Sequence, residues 1–165
     1  MKKLFLLFVL VAFVSCENKT IEVQKESGFD YGRDGKYVFG SDDDAQMAVD
    51  LVLAFARKDS ETMSKFMGDT VRYAPPQGGK MITSLKSDVH DVVKMLHEPY
   101  DSIKRTVWNA VPLKSTAADF TRVTVAFKED RFYKDGSSES VRLVDRIFIR
   151  DKKIFRIHQW MAEME

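Results

Sequence analysis

Asp145 has the clearest capacity for proton chemistry in this 165-residue chain. It sits at the centre of Val141-x-Leu143-x-Asp145-x-Ile147-x-Ile149. Side chains alternate between the faces of a strand, so this spacing puts the carboxylate on one face with aliphatic neighbours. A carboxylate so placed either finds a partner or holds its proton to higher pH. A two-residue turn at Asp151-Lys152 brings candidate partners from the next strand. Counting the ladder outward pairs Ile149 with Ile154, Ile147 with Arg156, Asp145 with His158 and Leu143 with Trp160. Cross-strand neighbours on one face have Cβ atoms about 4.5–5.5 Å apart. The expected ligand site is therefore Asp145, Arg156 and His158, walled by Trp160 and Leu143, with Tyr73 from an earlier strand. Two roles fit. His158 acts as a general acid or base oriented by Asp145 while Arg156 holds an anionic substrate; or Arg156 and His158 merely satisfy a half-buried carboxylate. Carboxylate–cation clusters on strands are more often structural, and binding is the expected role before catalysis.

Other candidates are weaker. His90 and His97 are seven apart, whereas helical metal pairs are spaced by three or four. They read as surface histidines, and no metal or cofactor is expected. Gly78-Gly79-Lys80 lacks the spacing of a phosphate loop. The scattered methionines, such as Met63 and Met67, read as core filler. There is no Gly-x-Ser-x-Gly, and the chain has one cysteine, Cys16.

That cysteine ends the most distinctive stretch. Lys2-Lys3 precedes an apolar run from Leu4 to Val14, too short for a mature membrane span and suited to a signal peptide. Phe13-Val14-Ser15-Cys16 resembles a bacterial lipobox, with Phe13 where leucine is usual. Residues 1–15 are expected to be a lipoprotein signal peptide, with lipidated Cys16 as the anchor. Residues 16–40 read as a polar tether, and 41–165 as the folded domain. The expected location is the cell envelope, periplasmic or surface-exposed. Basic and acidic residues nearly balance, 26 against 25. That balance gives no support for nucleic-acid binding, which requires a basic stripe.

The elements that must position the site can be read from patterning. Ser41, followed three residues on by Asp44, starts a helix, and Ala45, Ala48, Leu51, Val52 and Phe55 keep helical spacing. Asp59 caps a short second helix through Met67. Val71 to Ala74 is a brief strand, stopped by Pro75-Pro76. A third helix is expected from about Ser84 to His97, closed by Pro99. Four long strands follow: Ile103 to Leu113, Phe120 to Tyr133, Val141 to Arg150 and Ile154 to Met161. Helices first and an antiparallel meander after define an α+β protein with helices on one face of a curved sheet. The other face carries Val144, Phe148, Phe155, Ile157 and Met161. A second copy of the chain is its expected cover; the alternative is the tether through Phe29, Tyr31 and Phe39, whose alternation also suits a short edge strand.

This layout resembles the nuclear transport factor 2-like superfamily, which includes ketosteroid-isomerase-like and SnoaL-like proteins. Leu51-Val-Leu-Ala-Phe-Ala-Arg-Lys-Asp59 is similar to its first helix. Phe66-Met-Gly-Asp-Thr-Val-Arg-Tyr-Ala-Pro75 resembles the stretch after it. Asp145-Arg-Ile-Phe-Ile-Arg-Asp-Lys-Lys-Ile154 resembles its strand–turn–strand, with Lys152 where glycine is usual. The resemblance implies a cone-shaped α+β fold with a pocket between sheet and helices. It does not imply steroid isomerisation: the base and tyrosine positions fall on Ala74 and Leu51, and only Asp145 matches the third. The function expected is a lipid-anchored module that binds a small hydrophobic or partly anionic molecule. The alternatives are a lyase, isomerase or cyclase using Asp145 and His158, and a structural subunit of an envelope complex.

Overall fold

The computed structural model describes residues 25–30 and 32–164. Cys16, the apolar run before it, the start of the tether and Tyr31 lie outside the described residues. No helix among the described residues is long and apolar enough to cross a membrane.

Among the described residues, three helices cover one face of an eight-stranded sheet. Helix α1, Asp42–Ala56, begins where the Ser41 hydroxyl accepts from the Asp44 N–H, with three aspartates in its first turn. Helix α2, Ser60–Phe66, begins where Asp59 accepts from the Thr62 N–H. Helix α3 is Val89–Leu96. The strands are β1 (Ser27–Asp30), β2 (Gly35–Phe39), β3 (Met67–Ala74), β4 (Ile82–Leu85), β5 (Tyr100–Ser115), β6 (Thr121–Tyr133), β7 (Ser138–Arg150) and β8 (Lys153–Glu163). They lie in the order β1-β2-β5-β6-β7-β8-β3-β4, antiparallel except for β3 beside β8. The core forms where the inward positions Val123, Val125, Phe127, Leu143 and Ile147 meet Ala48, Leu51 and Val52 of α1.

Strand β3 starts earlier than expected, at Met67, and β5 and β8 run longer; two further boundaries change the architecture. The domain begins before Ser41, because β1 and β2 form a hairpin on the sheet edge beside β5. Phe29 and Phe39 are 83% and 70% exposed there, so they do not cover the outer face. The third helix is shorter than expected. Ile82–Leu85 instead pairs with β3, and a 3-10 turn at Lys86–Asp88 leads into α3. The β-branched pair Ile82-Thr83 favours that pairing over helix.

The consequential difference is in β8. Asp151 and Lys152 do form the two-residue turn, both with positive φ (49° and 57°), which suits the twist of a hairpin. Ile149 then faces Ile154, as counted. But Phe148 faces Arg156, leaving Phe155 as an extra residue. This bulge shifts all that follows by one position and exchanges the faces. The reason is in the core. Ile154 is fully buried and Ile157 is 8% exposed, and residues three apart cannot share a face of an unbroken strand. The expected pairing of Asp145 with His158 is therefore corrected: Asp145 faces Gln159, Arg146 faces His158, Val144 faces Trp160 and Leu143 faces Met161.

Deleting Phe155 should force Arg156 and His158 inward, at a cost comparable to a typical whole-domain stability of about 5–15 kcal/mol. The expected outcome is loss of cooperative unfolding and of near-UV circular dichroism. Phe155→Ala keeps the bulge and should still unfold cooperatively. A deletion variant with native spectra would show that the bulge does not set the register.

Candidate functional site

Between the helices and the inner sheet face lies a cavity of about 300 Å³. That is at the small end of the range for small-molecule sites. Leu51 and Phe55 of α1, Met63 of α2 and Val92 of α3 form much of its wall, with Ile157 and Met161 from β8. Polar groups gather on the sheet side. Asp145, Gln159, Tyr73, Arg105, Glu129 and Arg131 all line the cavity.

These polar residues fall into two sets. In the first, Tyr73 Oη donates to Gln159 Oε1 at 2.8 Å, and Gln159 Nε2 donates to Asp145 Oδ1 at 2.9 Å. Burial raises the Tyr73 phenol above its ordinary pKa, and the Asp145 charge adds to the effect. The phenol therefore keeps its proton and its role as donor. Asp145 is 4% exposed. Burial pushes its carboxyl up to about 6, against the opposing pull of the Arg105 charge and the Gln159 hydrogen bond.

The second set is a clamped ion cluster. Glu129, 2% exposed, accepts from Arg105 through Nε and Nη2, both at 2.6 Å, and from Arg131 Nε at 2.6 Å. Arg105 Nη1 donates to the Val52 carbonyl at 2.9 Å. Its guanidinium carbon lies 4.4 Å from the Phe55 ring centroid and 4.8 Å from that of Phe127. Arg131 reaches on to Glu139 at 2.9 Å. Arg105 is thus tied to a carboxylate, a helix carbonyl and two rings. Among the described residues, Asp145, with one hydrogen bond from Gln159, is the cavity carboxyl without an ion-pair partner.

Of the residues expected in the site, Asp145 and Tyr73 line the cavity. Leu143 is fully buried in the core and forms no part of the wall. Arg156, His158 and Trp160 lie on the opposite face, opposite Phe148, Arg146 and Val144. The His158 ring centroid is 5.4 Å from that of Phe148 and 6.1 Å from that of Trp160. The Asp145–His158 pair is not formed. Gln159, Arg105, Glu129 and Arg131 were not anticipated. The signal for Glu129 and Arg131 was available in Val123-x-Val125-x-Phe127-x-Glu129-x-Arg131, where the core alternation runs on into charge. His97 also differs from expectation: it is 4% exposed, donates from Nε2 to the Phe55 carbonyl at 2.8 Å, and is held below its ordinary pKa by burial. His90 is exposed, with Nδ1 3.2 Å from the Ser60 hydroxyl. Among the described residues no group of three His, Cys, Asp or Glu side chains is placed to hold a metal.

Comparison with solved structures shows the nuclear transport factor 2-like fold. An NTF2-like protein from Anabaena variabilis matches with a TM-score of 0.58 at 12% identity, over 75% of this chain and 92% of that one. A ketosteroid isomerase-like protein from Erwinia carotovora atroseptica matches with a TM-score of 0.57 at 15% identity, over 72% and 93%. An LEH-like epoxide hydrolase from M. tuberculosis matches with a TM-score of 0.56 at 10% identity, over 72% and 81%. No family model matches the sequence, and neither does any curated protein.

The titration of Asp145 has a signed consequence for stability. Its pKa rises from 3.8 unfolded to about 6 folded. The stability gained by its protonated native form is full below pH about 4 and is lost as pH rises through about 6. That loss is on the order of 3 kcal/mol. Asp145→Asn should abolish this dependence and, at pH 7.5, stabilise the domain by on the order of 2 kcal/mol. Glu129→Gln should destabilise it by about 3–5 kcal/mol, because buried Arg105 loses its counter-ion. Urea unfolding across pH 4–8 measures both. An Asn variant less stable at pH 7.5 would show that the ionised carboxylate stabilises the fold.

Proposed function

We propose that the chain is a membrane-anchored binding protein of the bacterial cell envelope. It holds one small, mostly apolar molecule with a polar group set against Asp145. The observation that carries this reading is the cavity: helix side chains offer an apolar wall, and the sheet offers one incompletely partnered carboxyl. Binding such a molecule removes apolar surface from water and gives Asp145 a second hydrogen bond. Anchorage follows from the signal-like run and the lipobox-like Phe13-Val14-Ser15-Cys16.

A second reading, an enzyme of isomerase or hydrolase type, is favoured by the Asp145 pKa of about 6. A carboxyl poised there exchanges protons at neutral pH. In that reading Asp145 works without His158, held in place by the Tyr73–Gln159 chain. Binding is preferred because Arg105, Glu129 and Arg131 are committed to one another, and the Tyr73 phenol, which keeps its proton, already donates to Gln159.

The test is native mass spectrometry of the full chain purified from its host in mild detergent. The expected result is a diacyl- or triacylglyceryl mass at Cys16 and one retained small molecule per chain. Val92→Trp, which fills the cavity, should keep the lipid and lose the molecule. Asp145→Asn should weaken its binding by about tenfold, the worth of one charge-assisted hydrogen bond. Turnover of the identified molecule, abolished in Asp145→Asn with binding retained, would establish the enzyme. An empty cavity in every preparation would overturn the binder, and an unmodified, uncleaved N-terminus would overturn the anchor.

A further inference from the structure

The sheet face turned away from the helices has a chemistry of its own. Its cross-strand rows follow from the ladder. Arg72 of β3, Arg156 of β8, Phe148 of β7 and Arg122 of β6 are successive neighbours. The next row is His158, Arg146 and Thr124, and the one after it Trp160, Val144 and Ala126. Opposite charges are the stabilising choice for directly opposed residues. Here Arg72 opposes Arg156 and Arg146 opposes His158.

Among the described residues, none of Arg72, Arg122, Arg142, Arg146 or Arg156 forms an ion pair with a carboxylate. Aromatic rings take that place. Arg146 lies 4.8 Å from the Trp160 ring centroid, Arg122 4.8 Å from Tyr37, Arg142 5.6 Å from Trp108 and Arg156 5.7 Å from Phe148. The Nε atoms of Arg122 and Arg156 and Nε2 of His158 have no hydrogen-bond partner among the described residues. Burial and the charges of Arg156 and Arg146 hold His158 below its ordinary pKa. This is a cluster of cations short of anions.

A second copy of the chain would bring the same arginines, while the carboxylates near this face, Asp30 and Asp130, are already paired with Arg33 and Lys128. An anionic partner fits better, and the rest of the face narrows its kind. Trp108 and Trp160 are 47% and 45% exposed, and Phe39 and Val111 are exposed on the same face. Guanidinium groups bind phosphate through two parallel hydrogen bonds, and indole rings favour the headgroup level of a bilayer. The chain enters the sheet at β1, on the edge beside the strand that carries Phe39. Roughly ten residues separate Cys16 from Ser27, a span of at most about 40 Å. The membrane is therefore held within reach of this face.

We propose that the arginine–tryptophan face docks on an anionic phospholipid surface, laying the sheet against the bilayer with the helices and cavity turned away. The proposal rests on the membrane anchorage above. Its test uses the fact that Trp108 and Trp160 are the two tryptophans of the chain, both on this face. The full chain is reconstituted in vesicles of phosphatidylcholine alone, or with phosphatidylglycerol, each with brominated acyl chains. Tryptophan emission should be quenched and shifted to the blue only with phosphatidylglycerol. The effect should vanish in about 1 M salt, where the screening length is about 3 Å, and in Arg146→Glu with Arg156→Glu. Salt sensitivity of the native chain keeps the test valid if that variant does not fold. Equal quenching in both vesicles, or none while Cys16 carries lipid, would overturn the proposal. So would tryptophans shielded from acrylamide in a species of twice the mass, which would make a second copy the occupant. The mass of the Cys16 peptide reads the anchor separately: docking on phosphatidylglycerol with Cys16 unmodified would keep the face and remove the anchor.

Discussion

Ile154 and Ile157 are both drawn into the core, and strand alternation cannot place residues three apart on one side. The extra residue at Phe155 resolves this conflict, and both faces of the sheet depend on how it does so. After the bulge, Ile157, Gln159 and Met161 turn toward the cavity while Arg156, His158 and Trp160 turn away. Without it, two cationic side chains would enter an interior where an unpaired charge costs several kcal/mol or more. The bulge belongs to the specification of the fold as much as the core residues do.

The cavity shows two ways of keeping charge inside a small domain. Glu129 is surrounded: two arginines reach it, and the nearer is held by a helix carbonyl and two aromatic rings. This cluster links α1 to β5 and β6 and fixes the polar side of the cavity. Buried ion pairs add little net stability, since desolvation offsets attraction, but losing one member is expensive. Asp145 is the opposite case. One amide hydrogen bond and the field of Arg105 do not offset its burial, and its pKa sits near 6. An ionised Asp145 is a standing cost to the folded state, of the kind expected where a group serves binding rather than stability.

Much of this was legible in the sequence. Ser41 and Asp59 announce their helices because a cap is a local interaction, satisfied within three residues. The turn at Asp151-Lys152, the long strands and the aliphatic surroundings of Asp145 follow from short-range alternation. What failed is non-local. Ser84 and Leu85 read as the start of a helix until β3 supplies the pairing partner of the whole Ile82–Leu85 segment. His97 looks like a surface residue until the Phe55 carbonyl meets its ring nitrogen. The bulge left a trace, two isoleucines three apart, but a ladder counted from the turn alone cannot register it. Because an error of one residue exchanges faces, that single miss moved Arg156, His158 and Trp160 from one surface of the sheet to the other.

The same parity argument organises β8 as a strand with two audiences. Odd positions from Ile157 onward address the cavity; even positions from Arg156 onward address the outer face. Adjacent residues therefore act in different environments. A change at Gln159 alters the cavity carboxyl to which it donates, whereas changes at His158 or Trp160 alter a cationic, aromatic surface on the far side of the backbone. The two surfaces need not share a ligand to be coupled, because they share the ladder that sets their register. A perturbation that slipped β8 against β7 would exchange both sets at once. That common dependence makes the fold intolerant of insertions and deletions in this hairpin, while single side chains on either face stay free to vary with what each must recognise.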